Sequence, residues 1–183
     1  MKKRLFLTGD QGCGKSTLIR TVLGNRLEAA GGFLTVHTGS AVEIRSLAGQ
    51  FSPVPFLQFS AADPVFSPEI LLQAMHQALT PPMTFAVLDE IGGVELTEPA
   101  FFDILNRFFD TGIPCIGVMK NPSSAEKLCR RMGLGADYLQ AAADLRLQLE
   151  QDSDTLLIQT GDAAREAVRL WAQKYAGTPF LPF

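Results

Sequence analysis

The chain is short of the residues that most directly advertise chemistry. It has three cysteines, Cys13, Cys115 and Cys129, odd in number and never spaced C-x-x-C. That pattern argues against a disulfide framework and a structural zinc site, and points to a reducing, cytoplasmic home. The two histidines, His37 and His76, have no Cys or acidic partner at ligand spacing and read as ordinary residues. Basic residues never cluster beyond Lys2-Lys3-Arg4, and the net charge of −3 offers no general attraction to a polyphosphate backbone. No nucleic-acid partner is expected.

Long apolar runs are missing too. After the basic start only Leu5-Phe6-Leu7 precede Thr8 and Gly9, too little for the apolar region of a signal peptide. Ile70 to Leu88 is uncharged but is interrupted by Gln73, His76, Gln77, Pro81 and Pro82, which lipid would tolerate poorly, so no membrane span is expected. What remains is ordinary for a folded protein: 46% hydrophobic and 19% charged residues in a chain of 183. That length fits a single domain, here 1–183.

Strand and helix signals alternate along the chain. Arg4 to Thr8 is a short apolar run ending at glycine, the mark of a buried parallel strand, and Leu18, Ile19, Val22 and Leu23 then share a helical face that stops at Gly24-Asn25. Gly32–Val36 and Ala41–Ile44 flank Thr38-Gly39-Ser40 as a hairpin would. From Ser46 to Pro68, four prolines interleave with Phe51, Phe56, Phe59 and Phe66, which reads as irregular chain with short extended pieces and aromatics that pack. Helices are expected over Glu69–Leu79, after Thr97, over Ser123–Met132 and over Asp162–Tyr175, and strands over Thr84–Leu88, Ile113–Met119 and Thr155–Gln159. Such alternation implies an α/β fold on a mainly parallel sheet.

Between the first strand and first helix stands Gly9-Asp10-Gln11-Gly12-Cys13-Gly14-Lys15-Ser16, followed by Thr17. The spacing G-x-x-x-x-G-K-[ST] is that of a phosphate-binding loop: glycines let backbone N–H groups converge on phosphate oxygens, Lys15 reaches the β and γ phosphates, and the Ser16 hydroxyl binds Mg²⁺. Residues Gly9 to Thr17 are therefore the expected nucleoside-triphosphate site. The dinucleotide fingerprint fails, because Thr17 stands where a third Gly or Ala belongs. Further on, Phe85-Ala86-Val87-Leu88 lead into Asp89-Glu90. There Asp89 is expected to hold Mg²⁺ and Glu90 to deprotonate the attacking water, with Lys15 as the catalytic cation.

Gly9 to Thr17, Gly31-Gly32-Phe33-Leu34-Thr35, and Asp89-Glu90-Ile91-Gly92 with Glu95-Leu96 together resemble the small P-loop nucleoside-triphosphatases of thermophiles and animals, over about residues 4 to 120. The resemblance implies base-tolerant hydrolysis of triphosphates to diphosphates on a three-layer P-loop NTPase fold of the additional-strand catalytic-glutamate type. Val36-His37 and Gly93 depart from that family's pattern. The resemblance also puts the Thr35 hydroxyl near the γ-phosphate, although strand threonines are common.

Other signals are weaker. Arg130-Arg131 offer cations to a transition state but read more simply as a solvated helix face. Lys120-Asn121 offer contacts to a base, without the aspartate of a guanine signature. Cys13 lies where a thiolate would be stabilised, yet that position of the loop merely tolerates a small side chain. Two other functions stay open: a nucleotide or small-molecule kinase, although no Arg-rich lid is evident, and a GTP-binding adaptor resembling those of molybdopterin guanine dinucleotide assembly.

Overall fold

In a strand buried on both faces, successive side chains must serve two cores, and β1 (Arg4–Thr8), buried at every residue, does so. Leu5 and Leu7 join Val87, Ile116 and Val118 on one side of the sheet, while Phe6 joins Ala86, Leu88 and Met119 on the other. The structure, a computed structural model, describes residues 1–60, 63–80 and 82–177. Ala61 and Ala62, within the stretch expected to be irregular, lie outside the described residues, as do Pro81 and 178–183.

The first core is closed by α1 (Lys15–Leu23) and α6 (Asp162–Tyr175), which pack on each other. There Trp171 stacks edge-on to Phe85, ring centroids 5.9 Å apart, and its indole N–H donates to the Lys3 carbonyl at 2.9 Å. On the other face lie α2 (Pro68–Ala78), α3 (Pro99–Asp110) and α5 (Ala136–Gln151), with α4 (Pro122–Met132) against α5. Phe101, Leu105 and Phe108 of α3 are buried as their spacing implies, and Phe102 and Phe109 pack at the margin.

The remaining strands are β2 (Gly31–His37), β3 (Ala41–Ser46), β4 (Val54–Phe59), β5 (Pro64–Phe66), β6 (Ala86–Ile91), β7 (Cys115–Met119) and β8 (Thr155–Gln159). They form one eight-stranded sheet in the order β5-β4-β3-β2-β6-β7-β1-β8. Pairings from β2 through β6, β7 and β1 to β8 are parallel, while β2 to β5 continue as an antiparallel meander. The sheet is thus a three-layer, mainly parallel α/β arrangement. Strand β7 lies between β1 and β6, so an additional strand separates the strand that leads into the glycine loop from the strand that carries Asp89 and Glu90.

Several elements differ from the sequence expectation. The Pro-rich stretch contributes ladder strands: Pro55 sits opposite Glu43 beside a register shift, and Pro64 opens a three-residue edge strand, the two contexts in which a sheet tolerates a missing N–H. Its phenylalanines pack as expected, with Phe56 buried and Phe51, Phe59 and Phe66 against the core. Strand β6 runs to Ile91, so Asp89 and Glu90 lie inside the strand and not beyond it. Helix α5 has no counterpart in the expected elements. It meets α4, β8 and the short 3-10 turn at Val94–Thr97, so its apolar residues are spread over more than one face and a single-face period is blurred. Among the described residues no helix is long and apolar enough to cross a membrane.

Candidate active site

Parallel strands deliver their C-terminal ends to one edge of the sheet, and at that edge the loop after β1 meets the acidic end of β6. The loop turns on Gly9, Gly12 and Gly14, whose φ angles of 147°, 79° and 87° suit glycine alone among common residues. Lys15, 8% exposed, folds its ammonium back onto the loop, donating to the carbonyls of Gly9 (2.9 Å) and Asp10 (2.8 Å). The Cys13 thiol lies 3.6 Å from the same nitrogen.

One residue on, the Ser16 hydroxyl donates to Asp89 Oδ1 at 2.9 Å, and Arg20 Nη2 stands 3.8 Å from Asp89 Oδ2. Burial holds the Asp89 carboxyl above its ordinary value, against the opposing pull of Ser16 and Arg20. The Glu90 backbone N–H donates to Thr35 Oγ1 at 3.2 Å, and its carboxylate pairs with Lys120 Nζ at 3.1 Å. These groups share a cleft of about 360 Å³. Gln11, Gly12, Gly14, Lys15, Ser16 and Thr17 line it from the loop, whereas Gly9, Asp10 and Cys13 do not. Asp89, Glu90, Thr35 and Lys120 line it from the sheet.

The lesser candidates separate clearly. Asn121 Nδ2 donates to Asp10 Oδ1 (3.0 Å) and its Oδ1 accepts the Ser124 N–H (2.8 Å), so it ties the loop to the start of α4. Lys120 faces Glu90. Arg131 lines the cleft mouth with its guanidinium 3.8 Å from the Phe59 ring centroid, while Arg130 stays outside. His37 also lines the cleft, where partial burial and then the Lys120 charge hold its pKa down. His76 sits far off on α2. Glu95 is buried with Oε1 accepting the N–H groups of Gly92 (2.6 Å) and Gly93 (2.8 Å), and burial raises its pKa despite both donors. It caps the turn after β6 and does not line the cleft.

The Lys120–Glu90 pair is not legible in the sequence, because it requires knowing that β7 neighbours β6. A basic residue directly after a strand was the available signal. Buried Asp89 and half-buried Ser16 present a carboxylate and a hydroxyl to each other at the cleft wall, a hard-oxygen pair suited to Mg²⁺, which usually takes one or two protein oxygens alongside phosphates and water.

No family model matches the chain, and no curated protein matches it. Among solved structures it is similar to THEP1 from the hyperthermophile Aquifex aeolicus, with 16% identity, a TM-score of 0.57, and coverage of 91% of this chain and 95% of that one. At that identity the likeness shows a shared fold, the three-layer P-loop NTPase fold.

Proposed function

We propose that the chain is a Mg²⁺-dependent nucleoside-triphosphatase converting ATP, GTP and related triphosphates to diphosphate and phosphate, with broad base tolerance, within a single cytoplasmic domain spanning 1–183. We place it with the small P-loop nucleoside-triphosphatases that its DEIG segment resembles. The observation that carries this reading is the meeting of Ser16 with Asp89, 73 residues away in sequence, in one cleft with Lys15 and Glu90.

In this reading Gly9 to Thr17 cradle the phosphates, Lys15 leaves its loop carbonyls for the β and γ phosphates, and Ser16 and Asp89 would hold Mg²⁺. The metal, when bound, neutralises charge on the phosphate oxygens. Glu90 accepts a proton from water as the water oxygen attacks the γ-phosphorus, and the bond to the bridging oxygen breaks to release the diphosphate. Thr35, by accepting the Glu90 N–H, fixes the backbone from which that carboxylate reaches.

A side cavity of about 60 Å³ beside Glu90 is lined by Thr35, His37, Glu95 and Lys120 together with apolar Phe56 and Leu57. It has room for a water beside the Glu90 carboxylate, which supports the hydrolase reading. The test is phosphate release from a panel of triphosphates with and without Mg²⁺. Release that requires Mg²⁺ and varies little between ATP and GTP is expected. A hundredfold preference for one purine would contradict the base tolerance, and tight binding without release would replace the hydrolase with the adaptor.

A further inference from the structure

Lys120 leaves β7 at the edge where the phosphate loop leaves β1 and the carboxylates end β6. Its backbone N–H donates to the Ile91 carbonyl at 2.9 Å, which anchors the root of the side chain. Gly92, at φ 94°, passes beneath the stem so closely that an added Cβ would stand 3.2 Å from Lys120 Cβ. That turn is itself pinned: Glu95 accepts the Gly92 N–H, and the Tyr138 hydroxyl donates to the Gly92 carbonyl at 3.1 Å. The stem is therefore seated and the ammonium is the part free to turn. It pairs with Glu90, in a setting where the two side chains are only 18% and 28% exposed.

Among the described residues the other cations at the cleft do not touch Glu90; Lys127, on α4, also lines the cleft. Lys15 is held by its own loop, Arg20 faces Asp89, and Arg131 lies on Phe59. Among the described residues, Lys120 is the cation that both lines the phosphate cleft and holds Glu90. An ammonium has three donors and no fixed geometry, and a terminal phosphate carries more charge than a carboxylate, so the phosphate is the stronger competitor for it.

We propose that Lys120 is a positioning residue that reports the γ-phosphate to Glu90: it holds the carboxylate when the cleft contains no triphosphate, and turns to the terminal phosphate when one binds, freeing Glu90 to accept the proton of water. This rests on the hydrolase reading for its consequence, but its binding step does not. A diphosphate ends at the β-phosphate, within reach of Lys15 and the loop, and has no γ-phosphate to draw the ammonium, so it leaves the pair in place.

The test is calorimetric binding of ADP and of a non-hydrolysable ATP analogue, each with Mg²⁺, to the parent, K120M, K120R, E90Q and K120M/E90Q. Methionine keeps the stem on Gly92 and removes the charge. K120M should bind the triphosphate analogue about 10- to 100-fold more weakly, the worth of a charged hydrogen bond, with ADP affinity unchanged. K120R should restore the preference for triphosphate. E90Q, by releasing the lysine, should tighten the analogue, and this gain should vanish in K120M/E90Q. Equal losses for both ligands in K120M would overturn the proposal, as would no gain in E90Q, or a gain that survives without Lys120 and so reports mere relief of charge repulsion. A parent that passes this cycle yet releases no phosphate would sink the hydrolase reading and leave the lysine's role standing.

Discussion

At the scale of single residues, Lys15 is the cation we propose for bound phosphate, and its ammonium rests on the Gly9 and Asp10 carbonyls. Lys15→Ala should abolish triphosphate binding, read by calorimetry, and unchanged affinity would remove the phosphate-loop assignment. Glu90→Gln keeps size and reach but cannot take a proton, so binding should survive while single-turnover hydrolysis slows by ~10²- to 10⁴-fold. Asp89→Asn should differ, weakening both Mg-nucleotide affinity and turnover, since Asp89 faces Ser16 and does not line the side cavity beside Glu90. A Glu90→Gln variant within about threefold of the parent would mean that a typical general-base contribution is absent. Glu95, which lines the side cavity but accepts the Gly92 and Gly93 amides through Oε1, is then the next carboxylate to test. Lys15, Ser16, Asp89 and Glu90 were readable in sequence because each belongs to a local pattern tied to a strand end. Lys120, Thr35 and Asn121 act through partners 30, 55 and 111 residues away, and no local pattern encodes such pairs.

At the scale of elements, the turn from Gly92 to Thr97 joins the carboxylate strand to α3 and is organised by Glu95. Glu95→Ala removes the acceptor of two amides, and at roughly 1–3 kcal/mol for each buried group left unpaired the loss of stability should be about 2–6 kcal/mol by denaturant unfolding. The pH dependence follows from the raised pKa. A carboxyl whose native pKa exceeds its unfolded value, about 4.3, contributes most below that value and progressively less as pH rises through the native pKa. Parent stability relative to Glu95→Gln, which keeps an oxygen acceptor but never ionises, should therefore fall as pH rises above about 4. A difference that is flat with pH would show that Glu95 is not strained by its burial. Elements with a clean period, such as β1, β8 and α6, could be placed from sequence to the residue. Helix α5 and strands β4 and β5 could not: α5 touches neighbours on several sides, and the prolines of β4 and β5 are acceptable only because of a register shift and a free sheet edge.

At the scale of the molecule, one sheet separates two apolar cores, and β1 and β6 contribute to both. Neither core has a sheet of its own, so the described residues should unfold in a single transition. The cleft draws on the loop after β1, the start of α1, β2, the end of β6 and the residue after β7, so a ligand bound there is linked to the unfolding of the whole sheet. At a free concentration of 100 times Kd, binding adds about 2.7 kcal/mol, and a protein of this size gains roughly 2–4 °C in Tm per kcal/mol. A non-hydrolysable triphosphate with Mg²⁺ should thus raise the midpoint by about 5–10 °C, without splitting the transition. Lys15→Ala should melt close to the parent without ligand and show no such rise, since among the described residues its ammonium bonds to its own loop and the Cys13 thiol. Calorimetric scans of both proteins across a ligand series check this. Two resolved transitions, of which ligand shifts only one, would show that the cleft belongs to a part of the chain that folds apart from the rest, and the single-domain reading would fail.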